Sequence, residues 1–186
     1  MEKTFSHRRL EIVEQRPMIG EFKNRWPALF QQSEVNAEFL RLTTKPLQSK
    51  FMAQLDHFSD KLIQILKSKG GVKGQRIKAV LAIKDSDSAA EDAERDIKVM
   101  GIYTIRRDGN EKPEDVGIVI EGIKVLNNFG SVIMGFIMLF GLIYALDLSF
   151  PDNLKYTFEF FQKIIMNLDG HKLNTKIQQL KIKLFA

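Results

Sequence analysis

The residues whose types could do chemistry fall into three groups. Lys67, Lys69, Lys73, Arg76 and Lys78 make a basic run that contains three glycines and no acid. Such a run offers cations to an anion or to a nucleic-acid backbone, where release of counterions drives binding. It lacks the G-K-[ST] ending of a phosphate-binding loop. No aromatic residue is interleaved on which bases would stack. A solvated loop is the plainer reading of it.

Asp85, Asp87, Glu91, Asp92, Glu94 and Asp96 form an acidic segment directly after. Asp85 and Asp87 offer the hard oxygens that a divalent cation takes, but the spacing is not that of an EF-hand. Ser88 with Glu91 three residues later has the form of a capping box. A helix start on a solvated face therefore accounts for the segment without a metal. His7, His57 and His171 lie far apart beside charged or polar neighbours, and a base needs an organised partner to act on. There is no cysteine, which removes disulfides, thiol catalysis and Cys-ligated zinc. No catalytic residue, metal site, cofactor or small-molecule ligand is expected.

The elements that would hold these groups are read from apolar spacing. Arg8 to Gln15 carries Leu10 and Val13 on one side, and Pro17 stops it. Ile19, Phe22 and Trp26 recur at helical spacing before Pro27. Ser33 stands where an N-cap would precede Val35, Phe39 and Leu42. After Pro46, the residues Phe51, Leu55, Phe58, Leu62 and Ile65 give one apolar stripe, closed by Gly70 and Gly71. Ile77, Ala79, Leu81 and Ile83 alternate as in a short strand or buried turn. Met100 to Arg107 and Val116 to Val125 are expected to pair as an antiparallel hairpin around a polar loop at Asp108 to Asp115.

From Val125 to Leu146 there is no charged residue. The continuously apolar part, Val132 to Leu146, would span roughly 22 Å as a helix, short of the roughly 30 Å of a hydrocarbon core. A buried central helix at 129–147 is preferred over membrane insertion. Ser149, Pro151 and Asp152 resemble a helix start. Leu154, Phe158, Phe161, Ile165 and Leu168 then form a strict seam, ended by Asp169 and Gly170. Leu173, Ile177, Leu180 and Leu184 make a second seam on a lysine-rich last helix.

The chain of 186 residues is 44% apolar and 27% charged, with a net charge of +5. Those values suit one domain with a real core and permit acidic partners without demanding them. No apolar run follows Met1-Glu2-Lys3-Thr4, so no signal peptide is expected.

Long segments carry a family resemblance. They are R-W-P-A-L-F (Arg25 to Phe30), V-M-G-I-Y-T-I-R-R (Val99 to Arg107), D-V-G-I-V-I-E-G-I-K-V-L (Asp115 to Leu126) and L-F-G-L-I-Y-A-L-D-L-S-F-P (Leu139 to Pro151). L-K-Y-T-F-E-F-F-Q-K-I-I-M-N-L-D-G (Leu154 to Gly170) completes them. Together they resemble fish proteins described as similar to sterile alpha motif domain-containing protein 3, in the region outside the sterile alpha motif. The resemblance is densest after residue 99. It implies a recurrent intracellular domain of adaptor type and brings no catalytic residues to carry over.

The expected fold is mainly α with a small antiparallel β element, its central apolar helix packed by amphipathic helices. Residues 1–186 are taken as a single domain. Within it, 1–69 are a helical N-terminal part, 76–126 a small β-containing part, and 127–186 the helical core and C-terminal helices. The expected function is a non-enzymatic protein-interaction or self-assembly module acting through the seam Leu173, Ile177, Leu180 and Leu184. It would be intracellular, cytoplasmic or nuclear, with a protein partner or a second copy. Nucleic-acid binding through the basic loop and lysine-rich tail is the alternative. Membrane association through residues 125–146 is a second.

Overall fold

Helices form where apolar residues recur at steps of three and four, and the computed structural model describes residues 1–68, 85–86, 99–105, 113–170 and 173–185. The chain is mainly helical with a small antiparallel sheet. A short 3-10 turn at Glu2–Thr4 leads into α1 (Phe5–Gln15), which ends at Arg16 in a left-handed conformation, φ 46°. α2 (Ile19–Arg25) buries Ile19 and Phe22. A 3-10 turn at Pro27–Phe30 buries Leu29 and Phe30 and delivers the chain, extended at Gln31, into α3 (Gln32–Thr43). Ser33 is thus inside α3 and does not cap it. The extended Gln31 already occupies the capping position, with no side-chain cap bond.

α4 (Leu47–Ser68) begins directly after Pro46. Phe51 and Phe58 are buried, and Leu55, Leu62 and Ile65 pack against the same core. Its apolar stripe is the one that the sequence spacing predicts. Gly70 and Gly71, the capping box at Ser88, and the alternation from Ile77 to Ile83 lie outside the described residues.

β2 (Met100–Ile105), β3 (Asp115–Ile120) and β4 (Ile123–Leu126) form an antiparallel meander. A two-residue strand, β1 (Asp85–Ser86), runs parallel to β2 on its outer side. The expected single strand from Val116 to Val125 is therefore two strands. Glu121 and Gly122 both take positive φ, 53° and 74°, the tight two-residue turn whose twist suits a hairpin. Ile118 and Ile120 point to the main core, whereas Val119 joins Tyr103 on the opposite face.

Gly117 faces Tyr103 across the β2–β3 pair, and the phenol ring lies over it. A Cβ at position 117 would stand 2.3–2.5 Å from the Tyr103 hydroxyl oxygen and two ring carbons. Gly117→Ala must therefore push the whole ring aside, and with it the hydrogen bond that the Tyr103 hydroxyl donates to Asp115. Overpacking of this kind costs about 1–3 kcal/mol, a fall in melting midpoint of about 2–12 °C for a chain of this size. Thermal denaturation followed by circular dichroism checks this. An unchanged midpoint would mean that the ring does not lie there.

The uncharged stretch divides by local chemistry. Val125 and Leu126 close β4, Asn128 turns at φ 60°, and Phe129 returns to the core. The helix proper, α5, is shorter than expected: Val132–Ala145, 14 residues. Ser131 caps it by accepting a hydrogen bond from the Met134 amide. α5 packs on the sheet on one side and on α3 and α4 on the other. Its two glycines sit at these two contacts. Gly135 lies under Val116 and Ile102, and Gly141 under Val35 and Leu47, at distances that leave little or no room for a side chain. From Gly135 onward this apolar helix is buried on nearly every side, while Ile133 in its first turn is exposed.

The chain then passes through a 3-10 turn at Asp152–Leu154 into α6 (Lys155–Phe160), which widens into a π turn at Phe161–Ile165. Ser149 does not cap this start. Pro151 holds the position, with no side-chain cap bond. Phe158 and Ile165 are buried, as the seam predicts. Phe136, Phe140, Phe150 and Phe158 form stacked pairs at 5.1–6.5 Å between α5 and α6. α7 (Thr175–Phe185) packs against α4 and α6.

Candidate functional site

The residues singled out by sequence do not come together. Lys67 lies in the last turn of α4. Lys69, Lys73, Arg76 and Lys78 lie outside the described residues, as do most of the acidic segment and His171. His7 and His57 are exposed and far apart in the chain. His7 stands edge-on to Trp26 at 5.9 Å, and His57 edge-on to Phe58 at 4.7 Å. Among the described residues no cluster of histidines and carboxylates could hold a metal ion.

The seam on α7 is placed differently from expectation. Ile177 and Leu184 belong to the buried core, and Leu173 and Leu180 pack against it. Helical spacing puts Ile177, Leu180 and Leu184 on one face of α7, with Leu173 just before the helix, and that face is used within the chain. It offers no free surface to a partner, because α4 and α6 already cover it. What α7 leaves open is its outer edge. Ile182 and Phe185 are 63% and 62% exposed, three residues apart and so adjacent on the helix. Phe185 touches Phe58 of α4 edge-on at 5.3 Å. Lys176, Lys181 and Lys183 are exposed on α7, which carries no acid, and of them Lys181 lies one turn before Phe185. The Lys176 ammonium lies 4.2 Å over the Tyr156 ring of α6.

A cavity of about 590 Å³ opens between α3, α5 and the loop before α6. Leu42, Ile143, Leu148 and Phe150 form its apolar wall. Its charges balance: Arg9 pairs with Asp147 at 2.8 Å, and Lys155 shares the rim with Asp152. Burial raises the Tyr144 hydroxyl above the usual phenol pKa, with Gln162 opposing and Asp169 adding to the shift. Neither histidine nor cysteine lines this cavity.

Sequence spacing missed the polar group at the heart of the N-terminal part. α1 is turned the other way round from its apolar pattern. Leu10 and Val13 are 56% and 46% exposed, whereas Arg8, Glu11 and Ile12 are buried. Arg8 donates to the Glu38 carboxylate at 2.8 Å, to the Met1 carbonyl and to the Thr4 hydroxyl. Arg41 donates to the same Glu38 oxygen at 2.6 Å. Glu11 accepts from Arg25 and from the Trp26 indole, and the Arg8 guanidinium lies 5.7 Å from that ring. Each of these charges has an opposite charge as partner, which is what allows them inside, although the buried Arg8 Nε donates to nothing among the described residues. The run R-W-P at Arg25 to Pro27 was the visible signal, because Arg25 and Trp26 hold Glu11 while Pro27 starts the next turn.

Residues 1–31 match the family model described as sterile alpha motif domain-containing protein 3, helical domain. The matched stretch comprises α1, α2 and the 3-10 turn at Pro27–Phe30, and it includes R-W-P-A-L-F. The chain is therefore similar to such proteins outside the sterile alpha motif. Comparison with curated proteins and with solved structures gives no match. Among the described residues no helix is long and apolar enough to cross a membrane.

Proposed function

We propose that this chain is a non-enzymatic protein-interaction module of the kind its similarity to a helical domain suggests, and that it binds through the outer edge of α7. One observation carries this reading. The last helix spends its regular seam on the core, yet keeps Ile182 and Phe185 more than 60% exposed side by side. Large apolar anchors on a charged helix are the usual centre of a recognition surface. Burying both would contribute about 3–6 kcal/mol. Micromolar binding needs about 8 kcal/mol, so the pair acts as the anchor of a wider footprint.

The test uses the intact chain, because a truncation before α7 would remove Ile177 and Leu184 from the core. The immobilised chain and its Ile182→Ser/Phe185→Ser variant are offered nuclease-treated extract, and bound protein is quantified. The double variant is expected to lose most specific capture while keeping its melting midpoint. Equal capture by both forms would overturn the reading.

A further inference from the structure

We infer that the partner seated on α7 is an acidic amphipathic segment of a different protein, not a second copy of this chain. The inference rests on the interaction reading above and names the chemistry of the partner. It follows from what surrounds the anchor pair. On α7, Lys181 lies one turn before Phe185, Gln178 and Gln179 lie one turn before Ile182, and there is no acid among its residues. On α4, the contact with Phe58 fixes which face borders the patch. Residues three and four away share that face. They are Gln54, Leu55, Lys61 and Leu62. Asp56 and Asp60 sit two positions either side of Phe58, turned roughly 200° round the helix. The apolar pair is thus bordered by Lys181 on α7 and by the α4 face that carries Lys61, with neutral Gln178, Gln179 and Gln54 beside it, while Asp56 and Asp60 of α4 face elsewhere.

Two consequences separate the occupants. A second copy would present the same patch across a twofold axis and set lysine against lysine. A segment with apolar residues on one face and Glu or Asp at its flanks meets both features at once. A bare polyanion such as nucleic acid meets the charge alone and leaves Ile182 and Phe185 in water. Electrostatic matching of this kind sets specificity and encounter rate, and the buried anchors set residence time.

The experiment uses two synthetic helix-forming peptides with leucine along one face. One carries glutamate at its flanks and the other lysine. Binding to the full chain is followed by fluorescence anisotropy, beside light scattering of the chain over a concentration series. The glutamate peptide is expected to bind, weaken as salt rises, and lose about tenfold or more in affinity to Ile182→Ser/Phe185→Ser. Lys181→Glu is expected to lower its affinity as well, and the lysine peptide should not bind wild type. Absence of glutamate-peptide binding would overturn the inference, as would equal binding of the two peptides or a mass that rises with protein concentration. So would a single-stranded oligonucleotide that competes equally and ignores the double variant. If capture from extract depends on Ile182 and Phe185 but peptide charge has no effect, the interaction reading stands and only the acidic partner falls.

Discussion

Glu38→Leu is expected to cost this protein about 3–5 kcal/mol, a large share of the 5–15 kcal/mol that holds a typical native state. The reason lies in Arg8. Its side chain is fully buried, and Glu38 is its carboxylate partner. With Glu38 gone, the guanidinium keeps the Met1 carbonyl and the Thr4 hydroxyl but no counter-charge. An isolated buried charge is far more costly than the pair that contained it. Arg8→Met should cost less, because Glu38 retains Arg41 at the edge of solvent. The double variant Arg8→Met/Glu38→Leu should recover much of the loss of Glu38→Leu, since matched apolar side chains can replace a buried pair with little penalty. Urea unfolding of the four proteins measures these differences as a cycle. If Glu38→Leu unfolds at the wild-type midpoint, Arg8 is not buried and α1 is oriented otherwise.

This pair also shows where sequence reasoning stopped. Apolar spacing predicts that α1 buries Leu10 and Val13. The structure buries Arg8, Glu11 and Ile12 in their place, because the partners of the two charged residues come from elsewhere. Glu38 is 30 positions away from Arg8, and Trp26 is 15 away from Glu11. Hydropathy carries no information about such pairings. In α4, α6 and the π turn after it the opposite holds, and strict four-and-three spacing places Phe51, Phe58, Phe158 and Ile165 in the core. The uncharged stretch was legible as buried helix, but its start was not. Val125 and Leu126 are β-branched or apolar in a way that suits strand and helix alike, and only the positive φ at Asn128 and the Ser131 cap separate them. The β3–β4 turn stands in the sequence as Glu121-Gly122, but the isoleucine and valine on both sides resemble one longer strand. β1 lies in an acidic segment whose composition favours solvent, so its pairing with β2 had no sequence signal. On the candidate site, the seam Leu173, Ile177, Leu180 and Leu184 is legible in the sequence, and the structure spends it on the core. A seam at helical spacing marks burial without saying against what.

Ile177→Ala with Leu184→Ala is expected to have the other large effect. Both side chains belong to the main hydrophobic cluster. Truncating one such residue costs about 2–5 kcal/mol, so the two together approach the full stability of a typical fold. They lie two turns apart on α7, where α4 and α6 hold them. The expected result is a chain that unfolds at much lower denaturant, or does not fold at room temperature. The two exposed neighbours behave differently. Ile182 and Phe185 lose little packing on replacement, and Ile182→Ser/Phe185→Ser should stay within about 1 kcal/mol of wild type, the Phe58 edge contact being the main loss.

Urea unfolding of these two double variants beside wild type tests the account most directly, because the whole functional reading depends on which face of α7 is spent on the core. A collapse of the midpoint for Ile177→Ala/Leu184→Ala, with Ile182→Ser/Phe185→Ser almost unmoved, is the result expected. The reverse order, or a first variant as stable as wild type, would mean that Ile177 and Leu184 face outward and that the partner surface proposed here is the one holding the fold together.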